Sequence, residues 1–252
     1  MRGGPGLGGI LPSQADYFQA TKGGGHGDYR LLVMAPASVQ EAVEMVMQAF
    51  SLADKYRNPV MILGDGLIGQ MMEPVEFPEH LKIQPTNKDD WATNGMGTRK
   101  SNTRNLVKTL YLDPVELNAH NLKLKAKYEQ MAREEVRFEA YNFDCEYQLL
   151  IVSYGTMSRV CRTAVDMLKE EGLEIAMLRP KHLFPFPSGP IHEAAAKDSC
   201  RAVLSVEMSM GQMVEDVERS VAGTSPVHWY GKCGGDVPTP EEVIEAVKKL
   251  VD

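Results

Sequence analysis

Three short stretches carry residues whose types and spacing suit chemistry. "PVMILGDGLIG" (59–69) runs an apolar strand into Gly64, Asp65 and Gly66. Asn94 follows at close to the distance that a magnesium–diphosphate motif needs. In such a motif the aspartate and the asparagine ligate the cation, and diphosphate oxygens complete its shell. The stretch between them holds MEP, FPEH and KDDW rather than a clear helix, so a strand-ending turn whose glycines tolerate φ > 0 is the competing reading. "RGGPGLGG" (2–9) sets Arg2 beside backbone stripped of side chains. A guanidinium there can fork two hydrogen bonds to a carboxylate, and glycines let a ligand approach the main chain. The alternative is a flexible terminus. "VEMSMGQMVEDV" (206–217) puts Glu207 at the end of an apolar strand, as a functional carboxylate or as a structural hydrogen-bond acceptor. Its methionines read as core filler before they read as a binding surface.

Other patterns fail on inspection. Gly4, Gly6 and Gly9 satisfy GxGxxG, but a dinucleotide fingerprint needs a strand before it and a helix after it, and neither is present. "GMGTRKS" (95–101) has Arg99 where a phosphate loop requires glycine before Lys100. Cys145, Cys161, Cys200 and Cys233 form no CxxC, so neither an iron–sulfur nor a zinc site is signalled. The six histidines make no HxxxH or HExxH, and metal bound by this chain alone is not expected.

The elements that must position these residues follow from periodicity. Residues 1–29 hold nine of the 22 glycines and read as loop. "RLLVMAP" (30–36) is a strand, and Ser38 with Glu41 fits a capping box for a helix reaching about Arg57. That helix carries Val39, Ala42, Val43, Val46, Met47 and Phe50 at helical spacing. "PVMILGDG" is the next strand, completing a βαβ unit with parallel strands. Residues 69–112 read as a polar, proline-broken excursion over the surface. From Asp113 and Pro114 a long helical pattern runs to Tyr141, with Leu117, Leu124, Met131 and Phe138 seven residues apart. Asn121, Tyr128 and Glu135 at the other seam position favour a connecting helix with one docked face over a coiled coil. The last hundred residues alternate strand and helix four times, ending in a helix capped by Thr239 with Pro240 at its first position. "HLFPFP" between them reads as an ordered loop docking two aromatics. This is an α/β arrangement around a largely parallel sheet.

Composition bounds the function. The chain has 252 residues, 43% hydrophobic and 24% charged, enough for one large domain or two modest ones. Its net charge of −7 with no basic stripe argues against nucleic acid as a partner. No apolar run approaches a membrane span, and "MRGGPGLGGI" has no signal-peptide core, so no membrane association and a cytoplasmic location are expected.

Several stretches together resemble a known family: "RGGPGLGGILPSQADYF", "KGGGHGDYR", "MAPASVQEA", "LADKYRNPV", "GQMMEPVEFPE", "VEMSMGQMVEDV" and "GDVPTPEEV". They look like the α-type subunit of 2-oxoacid:ferredoxin oxidoreductases, nearest the 2-oxoisovalerate branch. The resemblance implies residues 1–112 as the C-terminal part of a thiamine diphosphate pyrimidine-type domain. It implies residues 113–143 as a connecting helix and 144–252 as a transketolase C-terminal-like α/β domain. The chain then reads as truncated at its N-terminus and inactive alone. Thiamine diphosphate and magnesium are expected mainly on a β-type partner subunit, iron–sulfur clusters on partner subunits, and coenzyme A as co-substrate. A γ-type subunit, an iron–sulfur subunit, ferredoxin and self-association complete the expected partners.

The family loop R-x-G-P-S-T-G-L-P-T maps onto Arg2 to Leu11. Arg2, Gly4 and Pro5 match, which implies Arg2 near the substrate carboxylate. Both threonine positions carry leucine, Leu7 and Leu11, and this aliphatic surface favours a branched side chain over 2-oxoglutarate. A 2-oxoglutarate or pyruvate enzyme of the same family, a non-catalytic assembly module, and a stand-alone nucleotide-binding α/β protein are the alternatives. With the metal site implied on another chain, Gly64 to Gly66 read as a strand-end turn.

Overall fold

The computed structural model describes residues 1–77, 86–95 and 104–251. Most of the "GMGTRKS" run (96–101) and the end of "FPEH" (78–80) lie outside the described residues. In chain order the elements are α1 (Tyr17–Thr21), β1 (Leu32–Met34), α2 (Val39–Tyr56), β2 (Val60–Ile62), α3 (Pro114–Glu134), β3 (Phe138–Tyr141), β4 (Leu149–Val152), α4 (Gly155–Glu170), β5 (Ile175–Pro180), β6 (His182–Phe184), α5 (Ser188–Ala195), β7 (Ala202–Glu207), α6 (Met213–Val221), β8 (Val227–Gly231) and α7 (Pro240–Val251).

β1 and β2 pair in parallel from Leu32 with Val60 to Met34 with Ile62, as the βαβ reading requires. Ser38 Oγ accepts the Glu41 amide at 3.1 Å, the expected N-cap. The reciprocal half of the capping box differs. Glu41 Oε2 accepts from the Ala37 amide at 2.8 Å and the carboxylate turns to Arg179 and Lys181, stronger partners than a backbone N–H. The buried face of α2 also differs from the expected one. Met45, Ala49, Leu52 and Tyr56 turn toward β1, β2 and Met131, while Val46 and Phe50 remain 46% and 60% exposed. The helix is apolar on two sides, and only one of them meets a sheet.

Asp113 caps α3, its Oδ1 accepting from Val115 N at 2.7 Å. The helix docks by its C-terminal end, where Met131 is fully buried beside Tyr128. It stops at Glu134, and Phe138–Tyr141 is a strand antiparallel to β5 rather than a continuation of the helix. Main-chain pairing with a strand some forty residues downstream overrides the heptad spacing there. "HLFPFP" likewise begins with a strand: β6 pairs antiparallel with β1, giving a three-stranded sheet ordered β2-β1-β6.

The second sheet is ordered β3-β5-β4-β7-β8, with β5, β4, β7 and β8 parallel. β4, β5 and β7 are buried at every position, as parallel strands covered on both faces must be. Leu149, Ile151, Ile175 and Leu204 face α4 and α7, packing on Cys161, Leu168, Val243 and Val247. Leu150, Val152, Ala176 and Val203 face the other way, onto α5, α6 and Tyr17. Gly172, in the left-handed region at φ 83°, closes α4, and Thr239 with Glu242 forms a complete capping box on α7.

Candidate functional site

The order of the five-stranded sheet fixes where a site can form. β5 lies on one side of β4 and β7 on the other, so the chain reverses its winding at β4. In open α/β sheets a crevice opens at the carboxyl ends of the strands at such a point. Here the chain's own residues 13–15 lie in that crevice. Gln14 is fully buried, its Nε2 donating to Tyr154 O at 2.9 Å and its Oε1 accepting from Met208 N at 2.9 Å. Gln14 N donates to Met208 O at 2.7 Å, and Ser13 Oγ donates to the same oxygen at 3.2 Å.

The glycine loop stands on this anchor. Arg2 and Pro12 form an antiparallel bridge, and Gly3 N donates to Leu11 O at 3.0 Å. Gly9 N donates to Gly3 O at 3.0 Å, so the chain folds back on itself. Gly8 makes this possible: its φ is +54°, and a Cβ there would sit 1.9 Å from Gly3 O. Arg2 Nη1 donates to Leu7 O and, at 3.1 Å, to Gly9 O. The loop is therefore a closed unit with a guanidinium in its mouth, not a loose terminus. Arg2 is exposed and makes no ion pair among the described residues, and its Nε and Nη2 groups have no hydrogen-bond partner there.

Of the residues singled out in this loop, Arg2, Gly4, Pro5, Leu7 and Leu11 all lie on it. Leu7 is 91% and Leu11 54% exposed, with the Leu11 side chain against Gly235. The loop thus presents one cation and aliphatic surface on a hydrogen-bonded base, an arrangement suited to a small carboxylate with an apolar tail.

The GDG turn plays a different part. Asp65 is buried, and both of its oxygens accept from protein donors: Oδ1 from Thr156 Oγ1 at 2.7 Å, Leu67 N at 3.1 Å and Ile68 N at 3.3 Å, Oδ2 from Thr156 N at 3.1 Å. The carboxylate closes its own turn and caps the first turn of α4, tying the three-stranded sheet to the five-stranded one. The lone pairs a cation would need are engaged, so the turn does not fit a magnesium–diphosphate site. Glu207 resolves in the same way. Its Oε2 accepts from Ser209 Oγ at 2.6 Å, Gln212 N at 3.0 Å and Met213 N at 2.9 Å, and its Oε1 from Val214 N at 3.0 Å. It caps α6 and is the structural acceptor of the two readings.

A second concentration of charge lines a cavity of about 280 Å³ between α2, α4 and β5, and none of the loop residues borders it. Arg179 forks onto Glu41 at 2.7 and 3.0 Å and reaches Glu139 Oε2 at 2.8 Å through Nε. Lys181 Nζ joins Glu41 at 2.6 Å. Burial alone would raise the Glu41 pKa, but Arg179, Lys181 and the Ala37 amide outweigh it and hold the carboxyl at about 2. Arg159 is tied to Glu73 at 2.6 Å. These groups neutralise one another and form an ionic joint between the sheets. Among the described residues no cluster of His, Cys, Asp and Glu has the make-up of a metal site.

Sequence reasoning missed Gln14, the capping by Asp65 and the Arg179 joint. Gln14 to Tyr154, Asp65 to Thr156 and Arg179 to Glu41 each span more than ninety positions of chain, where no local spacing signals them.

Comparison with known proteins follows the same lines. Residues 1–139 match the family described as pyruvate flavodoxin/ferredoxin oxidoreductase, thiamine diP-bdg. Residues 148–243 match pyruvate:ferredoxin oxidoreductase core domain II. The ketoisovalerate oxidoreductase subunit VorB of Methanothermobacter thermautotrophicus is 45% identical over 250 residues, covering 99% of this chain and 69% of the relative. The 2-oxoglutarate synthase subunit KorA of the same organism is 31% identical, covering 99% of this chain and 72% of the relative. A solved structure, 2-oxoglutarate:ferredoxin oxidoreductase from Magnetococcus marinus with 2-oxoglutarate, coenzyme A and succinyl-CoA bound, superposes with a TM-score of 0.78 at 24% identity. The match covers all of this chain and 47% of that one, so this chain spans about half its length, and the likeness is one of fold.

Proposed function

Because this chain belongs to the family of α-type subunits of 2-oxoacid:ferredoxin oxidoreductases, we propose that it takes part in oxidative decarboxylation of a branched-chain 2-oxoacid, 2-oxoisovalerate, to an acyl-CoA with reduction of ferredoxin. The observation that carries the choice of substrate is the glycine loop, where Arg2 Nη1 donates to Leu7 O and the Leu7 and Leu11 side chains are exposed on the same loop. The higher identity to a ketoisovalerate subunit than to a 2-oxoglutarate one supports it.

In this reading residues 1–112 belong to a pyrimidine-side unit, 113–143 connect, and 144–252 form a transketolase C-terminal-like unit. When bound, thiamine diphosphate would supply the electron sink that decarboxylation of a 2-oxoacid requires. Its magnesium and diphosphate belong to a β-type partner subunit, in keeping with an Asp65 whose oxygens are already taken. Iron–sulfur clusters reside on partner subunits, and a γ-type subunit and ferredoxin complete the assembly. A cytoplasmic location belongs to the same proposal; among the described residues no helix is long and apolar enough to cross a membrane.

This chain's own part is positioning. Arg2, held by the Leu7 and Gly9 carbonyls through Nη1, keeps its Nε and Nη2 groups to receive the 2-oxoacid carboxylate. A guanidinium fixed before binding loses little freedom when the substrate arrives. Leu7 and Leu11 shield the branched tail from water, worth on the order of 0.8 kcal/mol per CH₂. Reconstitution with partner subunits, followed by 2-oxoacid-dependent reduction of ferredoxin or viologen, tests the proposal. Preference for 2-oxoisovalerate over 2-oxoglutarate and pyruvate is the expected result, and no turnover of any 2-oxoacid overturns it.

A further inference from the structure

We infer that Gln14 is the positioning residue of the substrate loop: wedged into the switch point of the five-stranded sheet, it fixes residues 2–11 to the ends of β4 and β7. The inference rests on the reading of that loop as the 2-oxoacid site. Gln14 is buried and uses all of its polar groups on these two strand ends. Its side chain donates to Tyr154 O and accepts from Met208 N, and its backbone N donates to Met208 O. Its backbone oxygen accepts from the Tyr154 hydroxyl at 3.3 Å. An uncharged amide supplies a donor and an acceptor at once; no aliphatic side chain does, and a carboxylate supplies acceptors alone.

Two residues earlier, Pro12 bridges to Arg2, and Arg2 closes the loop on Leu7 and Gly9. The path from sheet to guanidinium is thus short: two residues of chain and the Arg2–Pro12 bridge. A shift of about 1 Å in a positioning group costs a reaction on the order of a hundredfold.

The charged and titratable groups around Gln14 are Asp65 from the turn after β2, Tyr154 after β4, Glu207 at the end of β7, and Asp16 two residues along the chain; all three carboxylates act on Tyr154. Asp65 Oδ2 and Gln14 Nε2 both come within 3.1 Å of the point a Cβ on Gly155 would occupy. A carboxyl introduced at position 14 would meet these acidic groups and the Tyr154 carbonyl. In its neutral form it reproduces the amide, donating to Tyr154 O and accepting from Met208 N. In its charged form the donor is lost.

The test uses the complex reconstituted with its partner subunits and two variants, Gln14→Met and Gln14→Glu. Gln14→Met should raise KM for the 2-oxoacid at least tenfold and leave KM for coenzyme A unchanged. Amide exchange in residues 2–12 should quicken while residues 149–152 stay protected. Gln14→Glu should match the wild type at the acid end of the working pH range and approach Gln14→Met as pH rises. This variant keeps the test open if Gln14→Met does not fold. Unchanged exchange in residues 2–12, or equal changes in both KM values, would overturn the inference. If the wild-type complex turns over no 2-oxoacid, the functional reading fails, and loop exchange alone then decides the role of Gln14.

Discussion

Asp65 Oδ1 accepts a hydrogen bond from Thr156 Oγ1 at 2.7 Å, although the two lie 91 positions apart in the chain. The contact joins the turn after β2 to the first turn of α4 and turns a metal-like motif into a structural joint. Asp65→Ala leaves the Thr156, Leu67 and Ile68 amides without their acceptor, and buried donors left unpaired cost about 1–3 kcal/mol each. Urea denaturation should therefore show a loss of several kcal/mol, short of the full sum because water re-enters. Magnesium titration should give the same heat for variant and wild type. A variant as stable as the wild type but with altered magnesium binding would return Asp65 to the cation.

Arg2 anchors its loop through Nη1, and the rest of its guanidinium makes no hydrogen bond among the described residues. Arg2→Lys keeps the charge and removes the fork. In the reconstituted enzyme KM for the 2-oxoacid should rise about tenfold or more, since an ammonium is a point charge and cannot make the two parallel N–H···O bonds of a guanidinium to a carboxylate. Steady-state kinetics with the 2-oxoacid varied checks this; an unchanged KM places the carboxylate elsewhere.

Leu7→Thr combined with Leu11→Thr replaces apolar tail contacts with hydroxyls. The ratio of kcat/KM for 2-oxoisovalerate to that for 2-oxoglutarate should fall at least tenfold, the scale of one or two methylenes in a hydrophobic pocket. Competition assays read this ratio directly, and a constant ratio removes both leucines from specificity.

Glu41 links acidity to stability. Its folded-state pKa of about 2 lies below the ordinary carboxylate value, so its contribution is fully present above about pH 4.5 and is lost as pH falls toward 2. A shift of that size is worth on the order of 3 kcal/mol. Glu41→Gln should lower stability near pH 7 and flatten its decline between pH 4.5 and 2. Thermal melts across that range decide it; parallel curves for variant and wild type would show that the joint with Arg179 contributes nothing.

Much of the fold was legible because it depends on neighbours in sequence. Ser38, Asp113 and Thr239 cap the helices they precede, and Gly172 ends α4, because capping needs only a few adjacent residues. The buried runs of β4, β5 and β7 declared a parallel sheet for the same reason. The reading failed where partners are distant. Phe138–Tyr141 left the helix for β5, β6 emerged from a proline-rich loop to pair with β1, and Val46 and Phe50 stayed outside the core.

The candidate site divides in the same way. The residue types in the glycine loop, one arginine, two leucines and permissive backbone, are properties of the sequence alone. They determined which chemistry the loop can address. Only the tertiary structure decided that the loop is closed by Arg2 and held at the sheet's switch point by Gln14. Only the tertiary structure, too, gave the lone pairs of Asp65 to Thr156 and its own turn. A side chain's donors and acceptors are set by its identity, but which of them remain available for a ligand is set by the groups that folding brings against them.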